Sequence, residues 1–206
     1  WRGVLGFNIG KNFDTPNERA ADDYLAGLRG AAGRADYVTV NISSPNTPGL
    51  RDLHEAGDLA RLLRAVVEAR DAAPRRVPLL VKISPDLDDE ALAVVVRIAR
   101  EAGIEGLIVA NTTVSRDGVA GHRHAGEAGG LSGRPLFLRS TAMLAKVRAL
   151  AGPDMVLVGV GGVDSADTAF AKILAGADLV QVYTGMIFRG PALPGAIVAA
   201  LPRLLA

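Results

Sequence analysis

The sequence of 206 residues contains no cysteine. This absence excludes disulfide bridges, thiolate metal ligands and a cysteine nucleophile, and it is compatible with a reducing compartment. The formal net charge is only +1, so there is no electrostatic case for nucleic acid as a partner. No apolar run approaches the ~18–20 residues that span a bilayer.

Aromatic residues are also scarce, at 4% against 49% hydrophobic residues. This composition indicates an α/β protein rich in Ala, Val and Leu rather than a β-sandwich. The three histidines, His54, His122 and His124, lie in or near loops without metal-ligand spacing. We expect them to be solvated, and we predict no metal site.

Apolar, strand-like runs alternate six times with helical segments, which is typical of a parallel sheet in an α/β fold. The length suits one domain, residues 1–206. The predicted strands are 3–9, 37–42, 79–83, 107–110, 155–160 and 179–182. The predicted helices are 17–32, 53–73, 88–103 with Asp88 as N-cap, 135–150, 165–175 and 193–206. Residues 114–130 form a long polar loop that we expect to be mobile.

Two architectures fit this alternation: an open doubly wound sheet, and a (β/α)8 barrel with six of its eight βα units in this chain. Polar residues or glycines end every predicted strand. They are Asn8, Asn41 with Ser44, Lys82 with Ser84, Asn111 with Thr112, Gly161 with Gly162, and Tyr183 with Thr184. A barrel gathers its strand ends around one mouth, whereas an open sheet spreads them along a line. We therefore favour the barrel.

The segment from Asn41 to Gly49 turns an apolar strand into a run of hydroxyls and amides closed by Pro45 and Pro48. Prolines stiffen the turn, and stiff loops at strand ends are where catalytic groups are mounted. The alternative is a polar turn that bonds only to its own backbone.

The glycine-rich segment from Gly159 to Ser165 joins a strand to a helix. Its backbone amides predict a phosphate site, which Gly185 would complete. The alternative is a tight turn that needs glycine for positive φ.

Lys82 is a lone cation in an apolar strand. Three roles suit it near a barrel mouth: holding a negative flavin ring, holding an anionic substrate, or forming a Schiff base. The alternative is a lysine that reaches out to solvent. Four carboxamides, on Asn8, Asn41, Asn46 and Asn111, suit a flat heterocycle such as a pyrimidine or a flavin ring, because a carboxamide both donates and accepts. They argue against a metal-assisted hydrolase.

The chain resembles the class 2, quinone-linked dihydroorotate dehydrogenases along essentially its whole length. Seven motifs, in order, carry the resemblance: Gly6-Phe7-Asn8-Ile9-Gly10-Lys11-Asn12, Asn41-Ile42-Ser43-Ser44-Pro45-Asn46-Thr47-Pro48-Gly49-Leu50-Arg51, Val81-Lys82-Ile83-Ser84-Pro85-Asp86-Leu87, Asn111-Thr112-Thr113-Val114-Ser115-Arg116, Gly129-Gly130-Leu131-Ser132-Gly133-Arg134-Pro135-Leu136, Gly159-Val160-Gly161-Gly162-Val163 and Val182-Tyr183-Thr184.

The resemblance implies an FMN-containing barrel that oxidises (S)-dihydroorotate to orotate in de novo pyrimidine (UMP) biosynthesis, with quinone as electron acceptor. Ser44 would be the general base at ring carbon 5, with its own proton relayed through Thr47 or water. The hydride from carbon 6 would pass to flavin N5. Class 1 members carry Cys at the position of Ser44, so serine indicates class 2.

The resemblance also assigns ligand contacts. The implied substrate contacts are Asn41, Asn46, Asn111 and Thr112. The implied FMN contacts are Asn8, Asn41, Lys82, Ala110, Gly133, Gly162, Tyr183 and Thr184. Ala110 departs from the family, which usually has Thr there; the contact survives if it is made by the backbone.

Because the chain starts at Trp1 without an initiator Met, we expect it to lack the family's N-terminal portion. The resemblance implies that this portion holds two barrel units and a helical pair for quinone access. The pair would give peripheral attachment to the cytoplasmic face of the cell inner membrane. Alone, the chain should hold FMN poorly. Two further hypotheses stay open: a phosphate-binding barrel isomerase or aldolase that uses Lys82, and an inactive fragment or binding module.

Overall fold

The computed structural model of the chain describes residues 3–31, 33–47 and 49–205. Ala32 and Ala206, the last residues of two predicted helices, and Pro48, in the predicted stiff turn, lie outside the described residues, as does Trp1. The strands are β1 (Gly6–Ile9), β2 (Tyr37–Asn41), β3 (Leu79–Ile83), β4 (Gly106–Val109), β5 (Val156–Val160) and β6 (Leu179–Gln181). The helices are α1 (Ala20–Ala31), α2 (Ala56–Asp71), α3 (Asp89–Glu101), α4 (Phe137–Ala151), α5 (Ala166–Leu174), α6 (Thr184–Arg189) and α7 (Leu193–Leu205).

All six predicted strands are confirmed, with ends shifted by up to three residues. The helix predicted from Asn17 begins as a 3-10 turn, Asn17–Arg19, before α1. Similar 3-10 turns, Leu50–His54 and Arg134–Leu136, precede α2 and α4. The short helix α6 was not predicted, because six residues are too few to show a periodic pattern.

The residues divide into two compact units. Unit 1 comprises Trp1–Ile83 and Leu87–Leu107, and it contains β1, β2, β3 and the start of β4 in that order. Unit 2 comprises Ser84–Asp86 and Ile108–Ala206, with the end of β4, then β5 and β6. The single domain of the sequence analysis stays a prediction.

In unit 1 the strands pair in parallel, and the register places Gly6 beside Tyr37 and Val38 beside Leu79. Val38, Val40 and Val81 are fully buried, as are Leu59 and Leu63 of α2. One face of the sheet therefore packs on helices. Ile9 lies on that face against α1, since a Cβ on Gly27 would approach Ile9 Cγ2 to 2.8 Å.

In unit 2, β5 and β6 pair in parallel, with Val158 beside Leu179. A buried cluster of Val163, Ala169, Leu193 and Ile197 joins α5 to α7.

Side chains cap the N-termini of two helices, one in each unit. Ser165 and Thr168 form a capping box at α5. In unit 1, Asp88 accepts from Ala91 N–H at 2.8 Å, as its predicted N-cap role requires.

One prediction about the histidines is wrong. His54 is buried, with 8% of its surface exposed, and its Nδ1 lies 2.7 Å from the carbonyl oxygen of Arg51. His54 is buried because it lies on the 3-10 turn Leu50–His54, whose residues Leu50 and Leu53 also pack into the core. His122 and His124 are exposed, as predicted.

Candidate active site

In unit 1 the sheet register brings together three of the predicted site residues. Asn41, the last residue of β2, is the partner of Lys82 on β3. Asn8 is the partner of Thr39, two residues before Asn41. Because side chains alternate between the two faces of a strand, Asn8, Asn41 and Lys82 share one face, opposite to the one on which Ile9 packs.

The Asn41 carboxamide is held by the next turn. Its Oδ1 accepts from the N–H of Ser43 at 3.2 Å and from the Ser43 hydroxyl at 3.0 Å. Its backbone carbonyl accepts from the hydroxyl of the buried Tyr24 at 2.7 Å. These three bonds fix both the strand end and the direction of the amide. The Tyr24 contact, between α1 and β2, is invisible in the local sequence pattern.

Ser44 follows in the loop and is half-buried. Its Oγ accepts from the backbone N–H of Asn46 at 3.2 Å, and Asn46 itself is exposed. Such a bond to the second residue on is the polar turn of the alternative interpretation. The same bond also favours negative charge on the serine oxygen, so the two interpretations describe one geometry.

Lys82 is the one residue of β3 that is not fully enclosed; its four neighbours in the strand are buried. Burial of the amine lowers the Lys82 pKa below its usual value of 10.5. None of the residues that the structure describes forms an ion pair or hydrogen bond with its ammonium. An unpaired, partly buried cation suits an anionic ligand.

In unit 2 the residues after β4 are held in a network. The Asn111 Oδ1 accepts from Thr112 N–H at 2.8 Å. The Thr113 hydroxyl donates to Asp86, and Val114 N–H donates to Asp86 Oδ2 at 2.9 Å. Ala110 is buried, and its N–H donates to Val160 carbonyl at 3.3 Å. A ligand contact by Ala110 is thus left to its carbonyl or methyl group.

A cleft of about 460 Å³ lies within unit 2. The backbone and side-chain donors that line it include Ser132, Gly133, Arg134, Gly162, Thr184 and Gly185. It brings together Gly133, Gly162 and Thr184 of the predicted FMN contacts. Tyr183 is not among the lining residues, and 73% of its surface is exposed.

Glycine is required where the chain segments around the cleft meet. Gly162 has φ of +74°, and a Cβ there would lie 2.4 Å from Phe137 Cβ. A Cβ on Gly185 would lie 2.2 Å from the carbonyl oxygen of Val163. The turn with positive φ, which the sequence analysis gave as the alternative to a phosphate site, is therefore present at Gly162, and the structure adds a close approach to Phe137.

The polar groups of the cleft are of two kinds. The guanidinium of Arg134 donates to Asp164 Oδ2 at 2.6 Å, and Arg189 also lines the cleft. Thr184 donates its hydroxyl to Ser132 Oγ at 2.9 Å. Within the described chain, the buried Oδ1 of Asp164 has no hydrogen-bond partner. Cations and amides suit a phosphate, and an orphaned carboxylate oxygen suits a hydroxyl donor. A sugar-alcohol phosphate combines both groups.

The sequence analysis missed Ser132, Arg134 and Arg189 as lining residues. Arg134 follows Gly133 in one of the seven motifs, so its positive charge could have indicated an anion site from the sequence. Arg189 lies outside every motif, and only the packing of α6 places it here. No described helix is long and apolar enough to cross a membrane. The described residues contain no cluster of three or more His, Asp or Glu that could hold a metal ion.

Alternating strands and helices in one six-stranded sheet, with polar residues or glycines after the strands, define this chain as an α/β protein of the barrel class. The model of the family "Dihydroorotate dehydrogenase" matches residues 3–205. The chain belongs to the dihydroorotate dehydrogenase family.

Relatives and solved structures agree with this assignment. A dihydroorotate dehydrogenase (quinone) from Rhizobium etli is 52% identical over 207 residues, 98% of this chain and 57% of the relative. One of the same name from Burkholderia thailandensis is 53% identical over 98% of this chain and 60% of the relative. The crystal structure of DHODH from Eimeria tenella with ferulenol superimposes with a TM-score of 0.92 and 36% identity, covering 98% of this chain and 58% of that chain.

The predicted fold class is thereby confirmed: the chain carries six of the eight βα units of a (β/α)8 barrel. It spans between 57% and 60% of the length of the two relatives named above.

Proposed function

We propose that this protein oxidises (S)-dihydroorotate to orotate with FMN as its cofactor and a quinone as electron acceptor, in pyrimidine (UMP) biosynthesis. One observation carries the proposal: Asn41 and the unpaired ammonium of Lys82 lie side by side on one face of the sheet. Relatives that bear the name dihydroorotate dehydrogenase (quinone) match 98% of the chain.

Each unit contains residues that would suit one part of FMN. In unit 2 the cleft with Gly133, Gly162 and Thr184 would hold the phosphate and ribityl chain, and the Asp164 oxygen would accept from a ribityl hydroxyl. In unit 1 Asn8, Asn41 and Lys82 would contact the ring. FMN, when bound, supplies a hydride acceptor at N5. Ala110 and Tyr183 remain proposed contacts through their backbones.

Ser44 is the proposed general base, taking the proton from carbon 5 of dihydroorotate. An alcohol is a weak base, so the negative charge on its oxygen must be stabilised while its own proton leaves. The N–H of Asn46 is placed to do this, at 3.2 Å from Ser44 Oγ. The proton would leave through Thr47 or water.

The substrate is a ring of alternating donors and acceptors with a carboxylate. Asn41, Asn46, Asn111 and Thr112 are the proposed contacts. Two of these amides have a fixed Oδ1, at Asn41 by Ser43 and at Asn111 by Thr112 N–H. Both carboxamides are thereby held in a fixed orientation, which suits recognition of a ring whose donors and acceptors are themselves fixed.

Quinone reduction and membrane attachment are proposed for the whole protein. The proposed attachment is peripheral, at the cytoplasmic face of the inner membrane.

A test of the proposed function uses the protein in its naturally expressed, full-length form. We expect a flavin spectrum that is bleached by dihydroorotate under anaerobic conditions and restored by a soluble quinone. A protein that binds FMN but is not bleached would contradict the assigned substrate.

The second candidate function is an isomerase or aldolase with Lys82 as Schiff-base nucleophile. The lowered pKa of Lys82 favours it, since a neutral amine is the nucleophile. Borohydride in the presence of a carbonyl phosphate would then trap a covalent adduct on Lys82, and the purified protein would be colourless. A protein with neither flavin nor adduct would be an inactive or binding module.

A further inference from the structure

We propose that Lys172 is a positioning residue for the phosphate group of the cofactor, acting through Ser140 on the Gly161–Gly162 turn. The inference deepens the proposed function, because it assigns a role outside the cleft to a residue that no motif includes.

Lys172 lies on α5 and has no exposed surface. Its Nζ donates to Ser140 Oγ at 2.6 Å, and it stands 5.2 Å from the centre of the Phe137 ring. Both contacts are on α4. The ammonium is therefore held between two helices and does not reach solvent.

Ser140 links Lys172 to the glycine turn Gly161–Gly162 by hydrogen bonds. Its hydroxyl, also fully buried, donates toward the carbonyl oxygens of Gly161 and Phe137, each at 3.2 Å. Since Lys172 donates to the Ser140 oxygen, the hydroxyl proton must point to these carbonyls. The hydrogen bond from Lys172 polarises the Ser140 hydroxyl and strengthens the hydrogen bond that this hydroxyl donates.

The turn rests directly on the two groups that Lys172 contacts. Gly161 has φ of +106°, and a Cβ there would lie 2.8 Å from Ser140 Oγ. A Cβ on Gly162 would lie 2.4 Å from Phe137 Cβ. Gly162 lines the cleft, so a shift of Ser140 or Phe137 would move a cleft-lining amide.

The charge of Lys172 has no counter-ion within the described chain. The elements packed on α5 are α4, α7, β5 and β6, and neither strand carries a titratable group. The charged residues on these helices, on α5 itself and next to β6 are Arg139, Lys146, Arg148, Asp167, Asp178 and Arg203. None of them bonds to Lys172, and Asp178 pairs with Arg148 at 2.6 Å.

A buried ammonium without a carboxylate destabilises the folded chain. Burial lowers the Lys172 pKa from 10.5 to about 7. An anion in the neighbouring cleft would favour the charged form, and by linkage the charged form would favour the anion. Lys172 thus lowers stability and raises affinity for phosphate.

The test compares Lys172→Met with wild type and with Lys146→Met, which removes one exposed lysine from α4. Apo forms of the naturally expressed protein are titrated with FMN and with riboflavin, which lacks the phosphate. We expect Lys172→Met to bind FMN about tenfold more weakly, to bind riboflavin as before, and to melt no lower than wild type. Lys146→Met should match wild type throughout.

An unchanged ratio of FMN to riboflavin affinity in Lys172→Met would overturn the proposal. So would an equal loss for both flavins, which indicates general damage. If that variant does not fold, Ser140→Ala gives the same decision: a selective loss of FMN affinity supports the link and an unchanged ratio refutes it. The pH profile adds a readout: FMN affinity of wild type should fall above about pH 7, and that of Lys172→Met should not.

Failure of the proposed function looks different. A wild type that binds FMN but ignores dihydroorotate removes the assigned reaction and leaves the Lys172 comparison intact. If wild type binds no flavin, inorganic phosphate replaces it as probe, with the rise in melting temperature as readout. An equal rise in wild type and Lys172→Met then overturns the role of Lys172.

Discussion

The backbone N–H of Asn46 donates to Oγ of Ser44 at 3.2 Å, so a two-residue turn holds the oxygen of the proposed base. The bond stabilises negative charge on Ser44 without occupying its proton. It comes from the backbone and survives substitution of the Asn46 side chain. The geometry of Ser44 is therefore set by the loop, whereas the proposed substrate contact of Asn46 depends on its amide.

Replacing Ser44 with Ala should slow the reduction of bound flavin by dihydroorotate by about 10²–10⁴-fold, the range of a general base. FMN content should stay the same, because Ser44 is proposed to contact substrate only. Anaerobic stopped-flow absorbance measures the rate. Ser115→Ala, in the loop after β4, is the control and should reduce flavin at the wild-type rate. A Ser44→Ala enzyme as fast as the control would remove Ser44 from the mechanism.

Lys82→Met keeps the length of the side chain and removes its charge. We expect weaker FMN retention on dilution and a more negative flavin reduction potential, because the ammonium would no longer offset charge on the reduced ring. Equilibrium dye reduction gives the potential. Lys146→Met changes the net charge equally at an exposed position and serves as control. Retention and potential equal to those of the control would make Lys82 a lysine without a role in cofactor binding.

Gly162→Ala places a methyl group 2.4 Å from Phe137 Cβ at a backbone φ of +74°. Gly152 provides a matched control, since its φ is +75° and a Cβ there meets nothing within 4 Å. Both variants place a side chain at positive φ, which costs about 1–3 kcal/mol. Only Gly162→Ala adds a clash, so its free energy of unfolding should be lower by a further ~1–3 kcal/mol. We also expect this variant to lose FMN. Urea unfolding of both apo proteins measures the difference, and equal stabilities would contradict the packing at Gly162.

Lys172 predicts a dependence of stability on pH. Its pKa is about 7 in the folded chain and 10.5 is its usual value. Between these values the unfolded state binds more protons, so the free energy of unfolding should rise with pH. Below about pH 7 both states are charged, and above pH 10.5 both are neutral.

The measurement compares wild type with Lys172→Met by urea unfolding from pH 7.5 to 9.5, in the apo form. Lys82 also has a lowered pKa and contributes with the same sign in both proteins, so the difference isolates Lys172. The raised pKa of Tyr24 acts above this window, where it lowers stability. A wild type whose stability relative to Lys172→Met is flat across the window would show that Lys172 stays charged when folded.

Much of the fold followed from local sequence patterns. Six apolar runs became the six strands, and Asp88 caps α3 as its position before an amphipathic segment predicts. The glycine turn at Gly161–Gly162 adopts positive φ as its composition indicates. Hydrophobic periodicity and turn chemistry depend on residues close together in the sequence, so both can be recognised from the sequence alone.

The sequence by itself determined the kind of groups available: amides and a serine after the strands, one lysine in β3, and glycines after β5. Only the tertiary structure decided their partners. Lys172 meets Ser140 across 32 residues, Arg134 meets Asp164 across 30, and His54 turns into the core instead of into solvent. Such pairs depend on which helices pack together and in what register, and long-range packing leaves no periodic trace in the residues that take part.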